Sequence, residues 1–101
     1  MIGRLWKGRT PPEKADAYED LLRGMLPGIE TEGFRGGYVL RRERGDEVEF
    51  VTLTLFDSMA AVRAFAGEEY ETAVIMPGAH DLLARFDAKA EHFEVRLTPD
   101  G

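Results

Sequence analysis

The alternation of apolar and polar residues is clearest between Val48 and Phe56, where it predicts a strand. One face of this strand carries rings and hydroxyls, at Phe50, Thr52, Thr54 and Phe56. The other face is aliphatic, at Val51, Leu53 and Leu55. Because neither face is charged over this stretch, both must be covered, by helices on one side and by a second surface on the other.

Two helical patterns accompany this strand. Thr10 and Glu13 have the spacing of a capping box, with proline at the first helical position, so a helix is predicted to begin at Pro11 and to end at Pro27-Gly28. Its buried stripe consists of Tyr18, Leu21, Leu22, Met25 and Leu26. Asp57 or Ser58 caps a second helix, whose stripe consists of Met59, Val62, Phe65, Ala66 and Tyr70, with a bend expected at Gly67.

The predicted strand Tyr38–Arg44 precedes a two-residue turn at Gly45-Asp46 and forms an antiparallel hairpin with the strand after it. Pairing Arg44 with Glu47 also places Arg42 opposite Glu49 and Leu40 opposite Val51. Opposite charges and apolar groups then match across one face, which favours this register.

Further strands are predicted at Met1–Lys7, with Ile2, Arg4 and Trp6 on one face, and at Ala90–Leu97. Asp81–Phe86 is expected to be irregular or a single helical turn. The order of elements is that of an α+β, ferredoxin-like βαββαβ subunit, with an antiparallel four-stranded sheet and both helices on one face. Residues 1–97 are predicted to form one domain, followed by a loose tail at 98–101.

Two helices cover only one face of such a sheet. We expect the face with Phe50, Thr52, Thr54 and Phe56 to be left open by the helices. An open apolar face of that size predicts a homodimer formed through the sheet.

The composition disfavours several classes of function. The net charge of -6 disfavours nucleic acid, and no uncharged run approaches the length of a membrane span. The absence of cysteine removes thiolate chemistry and suits a cytoplasmic location. The settings of His80 and His92 are too different for a metal site, and no cofactor is predicted.

The segments IGRLWKG, GFRGGYVL, VEFVTLTLFDSMAAVRAF and EHFEV together resemble the antibiotic-biosynthesis-monooxygenase-like proteins over nearly the whole chain. The resemblance implies a dimeric α/β barrel in which subunits pair sheet to sheet. It also implies one of several activities, among them cofactor-independent oxygenation of aromatic polyketides, quinol oxygenation and haem degradation.

The catalytic residues of those relatives are absent. The asparagine, tryptophan and tyrosine of the polyketide oxygenases fall at Thr52, Phe56 and Val62. The asparagine, tryptophan and iron-binding histidine of the haem degraders fall at Trp6, Phe65 and Ile75, which makes haem the less favoured ligand. These positions are consistent with the fold and leave the chemistry open.

The candidate substrate-binding residues are those expected on the cavity face: Arg4, Trp6, Arg41, Phe50, Thr52, Thr54 and Phe56. His92 is the candidate catalytic base, since its ordinary pKa lies near neutrality. Arg4 would pair either with an acidic ligand or with Glu94 on the last strand, and we expect Glu94.

Two hypotheses follow. The dimer is either a cofactor-independent monooxygenase or related enzyme for a small aromatic or quinol substrate, or a non-catalytic dimer that binds a small metabolite or has a structural or stress-related role. Oxygen consumption separates the two.

Overall fold

The computed structural model describes residues 1–101 and contains two helices and one antiparallel sheet. The elements are β1 (Ile2–Thr10), α1 (Ala15–Met25), β2 (Phe34–Arg44), β3 (Glu47–Phe56), α2 (Met59–Ala66), β4 (Arg85–Phe86) and β5 (Glu91–Glu94). Short 3₁₀ turns at Pro12–Lys14 and Leu26–Gly28 flank α1. The predicted α+β, ferredoxin-like order is confirmed, with β4 as an addition.

β1 lies at the centre of the sheet. It pairs with β3 from Ile2 opposite Phe56 to Thr10 opposite Val48, so it extends three residues beyond the predicted end at Lys7. On its other edge β5 and β4 occupy successive parts of the fourth strand position, with Arg4 opposite His92 and Gly8 opposite Phe86. The additional strand forms because the longer β1 offers backbone groups there, and Asp87 N–H donates to the Lys7 carbonyl at 3.0 Å.

The β2–β3 hairpin has the predicted register. Arg44 lies opposite Glu47, Arg42 opposite Glu49 and Leu40 opposite Val51. β2 begins earlier than predicted, at Phe34, and contains an irregularity between Phe34 and Gly37. The turn works because Gly45 has φ +65°, a conformation in which other residues are strained.

The prediction of which sheet face is left open was wrong. Phe50 is buried against Tyr18 of α1, and Phe56 is buried against Val62 of α2. The ring-and-hydroxyl face therefore lies beneath the chain's own helices. The cause is that both faces of β3 are apolar, so alternation alone does not say which one the helices cover.

The opposite face carries the uncovered apolar side chains. Tyr38, Leu40 and Phe93 are each just over half exposed, at 53%, 54% and 52%. Leu5, Val51, Leu53 and Leu55 lie among them and are partly buried. We call these seven residues the outer sheet face.

The helix ends differ in part from the sequence prediction. Ser58 caps α2, since its Oγ accepts from Ala61 N–H at 3.2 Å, and Gly67 at φ +90° ends the helix. Thr10 caps nothing. It is the last residue of β1, fully buried, and its hydroxyl has no partner. The predicted capping box is wrong because backbone pairing of Thr10 with Val48 holds it in the strand.

The C-terminal part contains less regular structure than predicted. The last strand spans Glu91–Glu94 instead of Ala90–Leu97, although Val95 N–H still donates to the Met1 carbonyl at 2.9 Å. Within the predicted irregular segment, Arg85–Phe86 is β4. No helix in the chain is both long and apolar enough to cross a membrane.

Candidate functional site

A pocket lies between the sheet and the helices and is lined mainly by apolar side chains, ten of thirteen. The sheet contributes Arg4 and Trp6 from β1 and Thr52 and Thr54 from β3. They converge because Trp6 lies opposite Thr52 and Arg4 opposite Thr54 in the strand register. These four predicted site residues are thus brought together on one wall.

The opposite wall comes from α1, α2 and the segments after them. Its members are Tyr18, Leu22, Leu26, Ile29, Phe65, Val74, Ile75, Met76 and Ala79. The space open to the centres of water molecules is about 40 Å³. A water needs roughly 10–15 Å³ on that measure, so a few waters fit and a larger ligand requires the wall to shift.

Arg4 is the buried cation of this pocket, with only 4% of its surface exposed. Its guanidinium donates to the carbonyl oxygens of Tyr70 and Thr72, and Nη1 lies 2.9 Å from Nε2 of His92. The expected pair with Glu94 is wrong, because Glu94 lies opposite Ile2 and forms an exposed ion pair with Arg96 at 3.6 Å. Burial lowers the pKa of Arg4.

Trp6 presents its ring, not its polar atom, to the pocket. Nε1–H donates to the backbone carbonyl of Asp87 at 2.7 Å, and the ring packs against Phe86 with centroids 5.9 Å apart. The indole is therefore fixed in position by the segment next to β4 and offers a ligand an apolar surface.

His92, the candidate base, does not line the pocket, but its ring contacts the guanidinium of Arg4. Since a guanidinium can only donate, Nε2 of His92 accepts, and the ring proton is on Nδ1. Burial, and then the nearby charge of Arg4, lower the pKa of His92, while Glu71 opposes them. His92 is thus held neutral and steadies the guanidinium.

The other predicted site residues lie outside the pocket. Phe50 packs edge to face on Tyr18, and Phe56 packs between Phe34 and Phe65. Arg41 bonds Asp16 at 2.8 Å and Glu19 at 2.9 Å on the outer side of α1, which raises its pKa through those hydrogen bonds. Alternation had grouped all three with the pocket residues, but Phe50 and Phe56 are packed under the helices and Arg41 pairs with carboxylates of α1.

Tyr18 is a pocket residue that the sequence analysis assigned only to the helix stripe. It is 1% exposed, and burial raises its pKa to about 12, so the phenol stays protonated. The available signal was its hydroxyl, the only one in a stripe otherwise made of leucine and methionine.

No group of three or more histidine, aspartate or glutamate side chains is arranged to hold a metal ion. His80 lies apart from His92 and packs against Phe86, with ring centroids 6.0 Å apart.

The sequence profile of the antibiotic biosynthesis monooxygenase family matches residues 1–75. The chain therefore belongs to this family, as its motifs indicated. No curated protein matches the chain.

Solved structures share the fold. A variant of MhuD with two manganese protoporphyrin IX bound per active site is 24% identical, with TM-score 0.71 over 100% of both chains. The haem degrader MhuD from Mycobacterium tuberculosis, with two haems in its active site, is 19% identical, with TM-score 0.65 over 97% of this chain and 98% of that one.

A protein from Bacillus cereus assigned to the antibiotic biosynthesis monooxygenases is 15% identical, with TM-score 0.65 over 97% of this chain and 94% of that one. At such identities these likenesses establish the α+β, ferredoxin-like fold and nothing finer.

Proposed function

We propose that the chain forms a homodimer through its outer sheet face and binds a small aromatic molecule in the pocket of each subunit. The proposed activity is cofactor-independent oxygenation of a quinol- or anthrone-type substrate. The observation that carries the proposal is the convergence of Arg4, Trp6, Thr52 and Thr54 on one wall of an otherwise apolar pocket.

The chemistry needs an ionised substrate and a dry site. An activated aromatic CH₂ group that loses a proton gives a conjugated anion, which donates electrons to O₂. With one O₂ the CH₂ group of an anthrone becomes a carbonyl and one water is released. A quinol has no CH₂ group, and with one O₂ it would become a hydroxyquinone, again with one water released. Neither reaction consumes an external reductant. Arg4 would stabilise the anion, and the apolar wall would exclude bulk water.

We assign the removal of the substrate proton to a water in the pocket. The sequence predicts His92 as the catalytic base. Its Nε2 accepts a hydrogen bond from Arg4, however, and the residue does not line the pocket. We assign it the positioning of Arg4. Thr52 and Thr54 are suited to hold the water, although Thr54 Oγ1 lies 3.4 Å from the Arg4 carbonyl and already donates weakly to it.

Haem, the ligand of MhuD, does not fit the residues present. The pocket lining contains no imidazole, with Ile75 on the wall. His92 is bonded to Arg4, and His80 lies exposed beside Phe86. Neither histidine is placed to ligate iron in the pocket, so we derive no step through haem.

The dimer is supported by the outer sheet face. Tyr38 and Leu40 on β2 and Phe93 on β5 are large apolar residues left more than half exposed, at opposite edges of the same sheet face. A second copy placed against this face would remove them from water, and the proteins that this chain resembles pair in that way.

A non-catalytic binding role is the second candidate. It is favoured by Thr52, Phe56 and Val62, which replace the catalytic positions of the polyketide oxygenases. The same pocket would then bind a metabolite without turnover.

The test uses Trp6, the only tryptophan, as a fluorescent reporter. A small quinol and an anthrone should quench its emission saturably, and Thr52→Val should weaken binding, whereas Thr98→Val in the tail should not. An oxygen electrode then separates enzyme from binder. Absence of quenching by every aromatic tested, with Thr52→Val silent, would leave the pocket as ordinary core.

A further inference from the structure

The charge of Arg4 is not neutralised by the protein. All three of its side-chain hydrogen bonds go to uncharged acceptors, two backbone carbonyls and the neutral ring of His92. Glu49 is the other buried charged residue, and it has two cationic partners, Arg42 at 2.7 Å and Arg9 at 3.4 Å. The fold thus compensates its buried anion but leaves its buried cation without a carboxylate.

Such an arrangement is costly unless something else supplies the negative charge. A buried ion without a counterion loses hydration and gains no attraction to an opposite charge in return, so its hydrogen bonds to neutral acceptors must offset the whole loss. Arginine cannot escape the cost by losing its proton at neutral pH. The missing counterion is therefore a property of the site that needs an explanation.

Arg4 also keeps donors for a ligand. A guanidinium has five N–H groups. Three are used, two on Nη1 and one on Nη2, so Nε–H and one hydrogen of Nη2 are free. Nε and Nη2 lie on one edge of the guanidinium, the edge that bonds an oxyanion in a bidentate pair.

The surroundings of Arg4 limit the rest of the ligand. The centre of its guanidinium lies 5.9 Å from the centroid of the Phe65 ring, and the Trp6 ring lies two residues further along the same face of β1. A charged end is thus followed by an apolar wall. A flat conjugated group attached to an oxyanion matches both.

We propose that the ligand of this pocket is a conjugated monoanion, an arene carboxylate or an ionised phenol or enol. Its oxygen accepts from the free donors of Arg4, and its ring packs against Trp6 and Phe65. This inference rests on the proposed function, because it names the ligand class of the same pocket.

The experiment is isothermal titration calorimetry of the full chain with 2-naphthoate and with 2-naphthalenemethanol, which have the same ring with and without charge. A charge-assisted pair predicts that the carboxylate binds about 10- to 100-fold more tightly. A nitrophenol titrated below and above its own pKa is the second arm, and tighter binding above that pKa would assign the site to phenolates as well as carboxylates.

Arg4→Gln should reduce the affinity for 2-naphthoate to that for the alcohol, and Arg4→Lys should restore part of the difference. Arg35→Gln, in an exposed pair with Asp57, is the matched control and should change neither affinity. If Arg4→Gln does not fold, the comparison of the two ligands on the unmodified protein still decides.

Equal affinity for the two naphthalene ligands would overturn the inference and leave the proposed aromatic pocket standing. A preference for the carboxylate that survives in folded Arg4→Gln would also overturn it, since the preference would arise elsewhere. Failure of both ligands and of the nitrophenol to bind would remove the proposed function together with the inference.

Discussion

Tyr18 and Phe50 pack edge to face, with ring centroids 4.9 Å apart and an interplanar angle of 76°. One ring belongs to α1 and the other to β3, so this contact fixes which face of the sheet the helix covers. The hydrophobic core and the pocket therefore share the ring-and-hydroxyl face, and the outer sheet face is not covered by the helices.

Truncation of this contact should be costly. Phe50→Ala removes a fully buried ring and should lower the free energy of unfolding by about 3–5 kcal/mol. Urea denaturation followed by circular dichroism measures this loss. Leu97→Ala, at a residue 81% exposed, should change the midpoint little. A small effect at Phe50 would mean that α1 does not pack here.

A charge on the outer sheet face should separate subunits without unfolding them. The unmodified protein should have roughly twice the 11.3 kDa chain mass by light scattering after size exclusion. Leu40→Asp should shift this mass to that of one chain, because it would place a carboxylate in the proposed sheet-to-sheet contact. Ala17→Asp, at an exposed position of α1, is the control and should leave the mass unchanged. A folded monomer in the unmodified protein at micromolar concentration would contradict the dimer.

Thr10 and Ser58 should respond in opposite directions. The Ser58 hydroxyl caps α2, so Ser58→Ala should cost about 1 kcal/mol. The Thr10 hydroxyl is buried without a partner, so Thr10→Val keeps the shape and should stabilise by about 1 kcal/mol. Thermal denaturation of both variants measures these two opposite changes in stability. Destabilisation by Thr10→Val would restore a capping role.

Gly37 and Gly24 form another opposed pair. A Cβ at Gly37 would lie 2.3 Å from the Leu53 backbone oxygen, so Gly37→Ala must disturb the β2–β3 ladder. Gly24 lies in α1 with nothing within 4 Å, and Gly24→Ala should stabilise by about 0.5–1 kcal/mol. Hydrogen exchange of β2 amides should rise only in Gly37→Ala. Unchanged exchange would contradict the close approach.

Stability should depend on pH through His92. Its folded-state pKa is lowered by burial and by Arg4, opposed by Glu71, so the unfolded chain takes up the proton first as pH falls. The contribution is complete above about pH 6.5 and is lost as pH falls through the folded pKa.

Urea midpoints between pH 8 and pH 5 measure this dependence. His92→Gln keeps an acceptor for Arg4 and should flatten the curve, whereas His80→Gln at an exposed site should not. The carboxylates with lowered pKa, such as Glu47 and Asp57, titrate below this range. Equal slopes in the unmodified protein and in His92→Gln would rule out His92 as the group responsible.

The hairpin register was predictable because complementary charges at Arg42 and Glu49 leave one good alignment. Which face of the sheet the helices cover was harder to predict, although the sequence contained a signal. The charged pairs share a face with Leu40 and Val51, and a face that ends in a charged ladder belongs to the side away from the helices. Weighing those charges against the apolar residues would have given the correct side.

The pocket was predictable only in part. Alternation placed Arg4, Trp6, Thr52 and Thr54 together because it follows directly from strand geometry. It could not separate them from Phe50 and Phe56, because contact with a helix depends on where that helix begins and ends. The contact of Arg4 with His92 depends on the register of β5. That register could not be predicted, because a long, mostly irregular segment separates β5 from α2.

The narrowness of the pocket bears on the speed of binding. We expect a ring to enter only after part of the lining, such as Val74, Ile75 and Met76, moves. Arg4 ties the backbone at Tyr70 and Thr72, just before these residues, to β1. Association would then be limited by opening of the subunit and not by diffusion. In a stopped-flow trace of Trp6 emission, the observed rate should level off as ligand concentration rises.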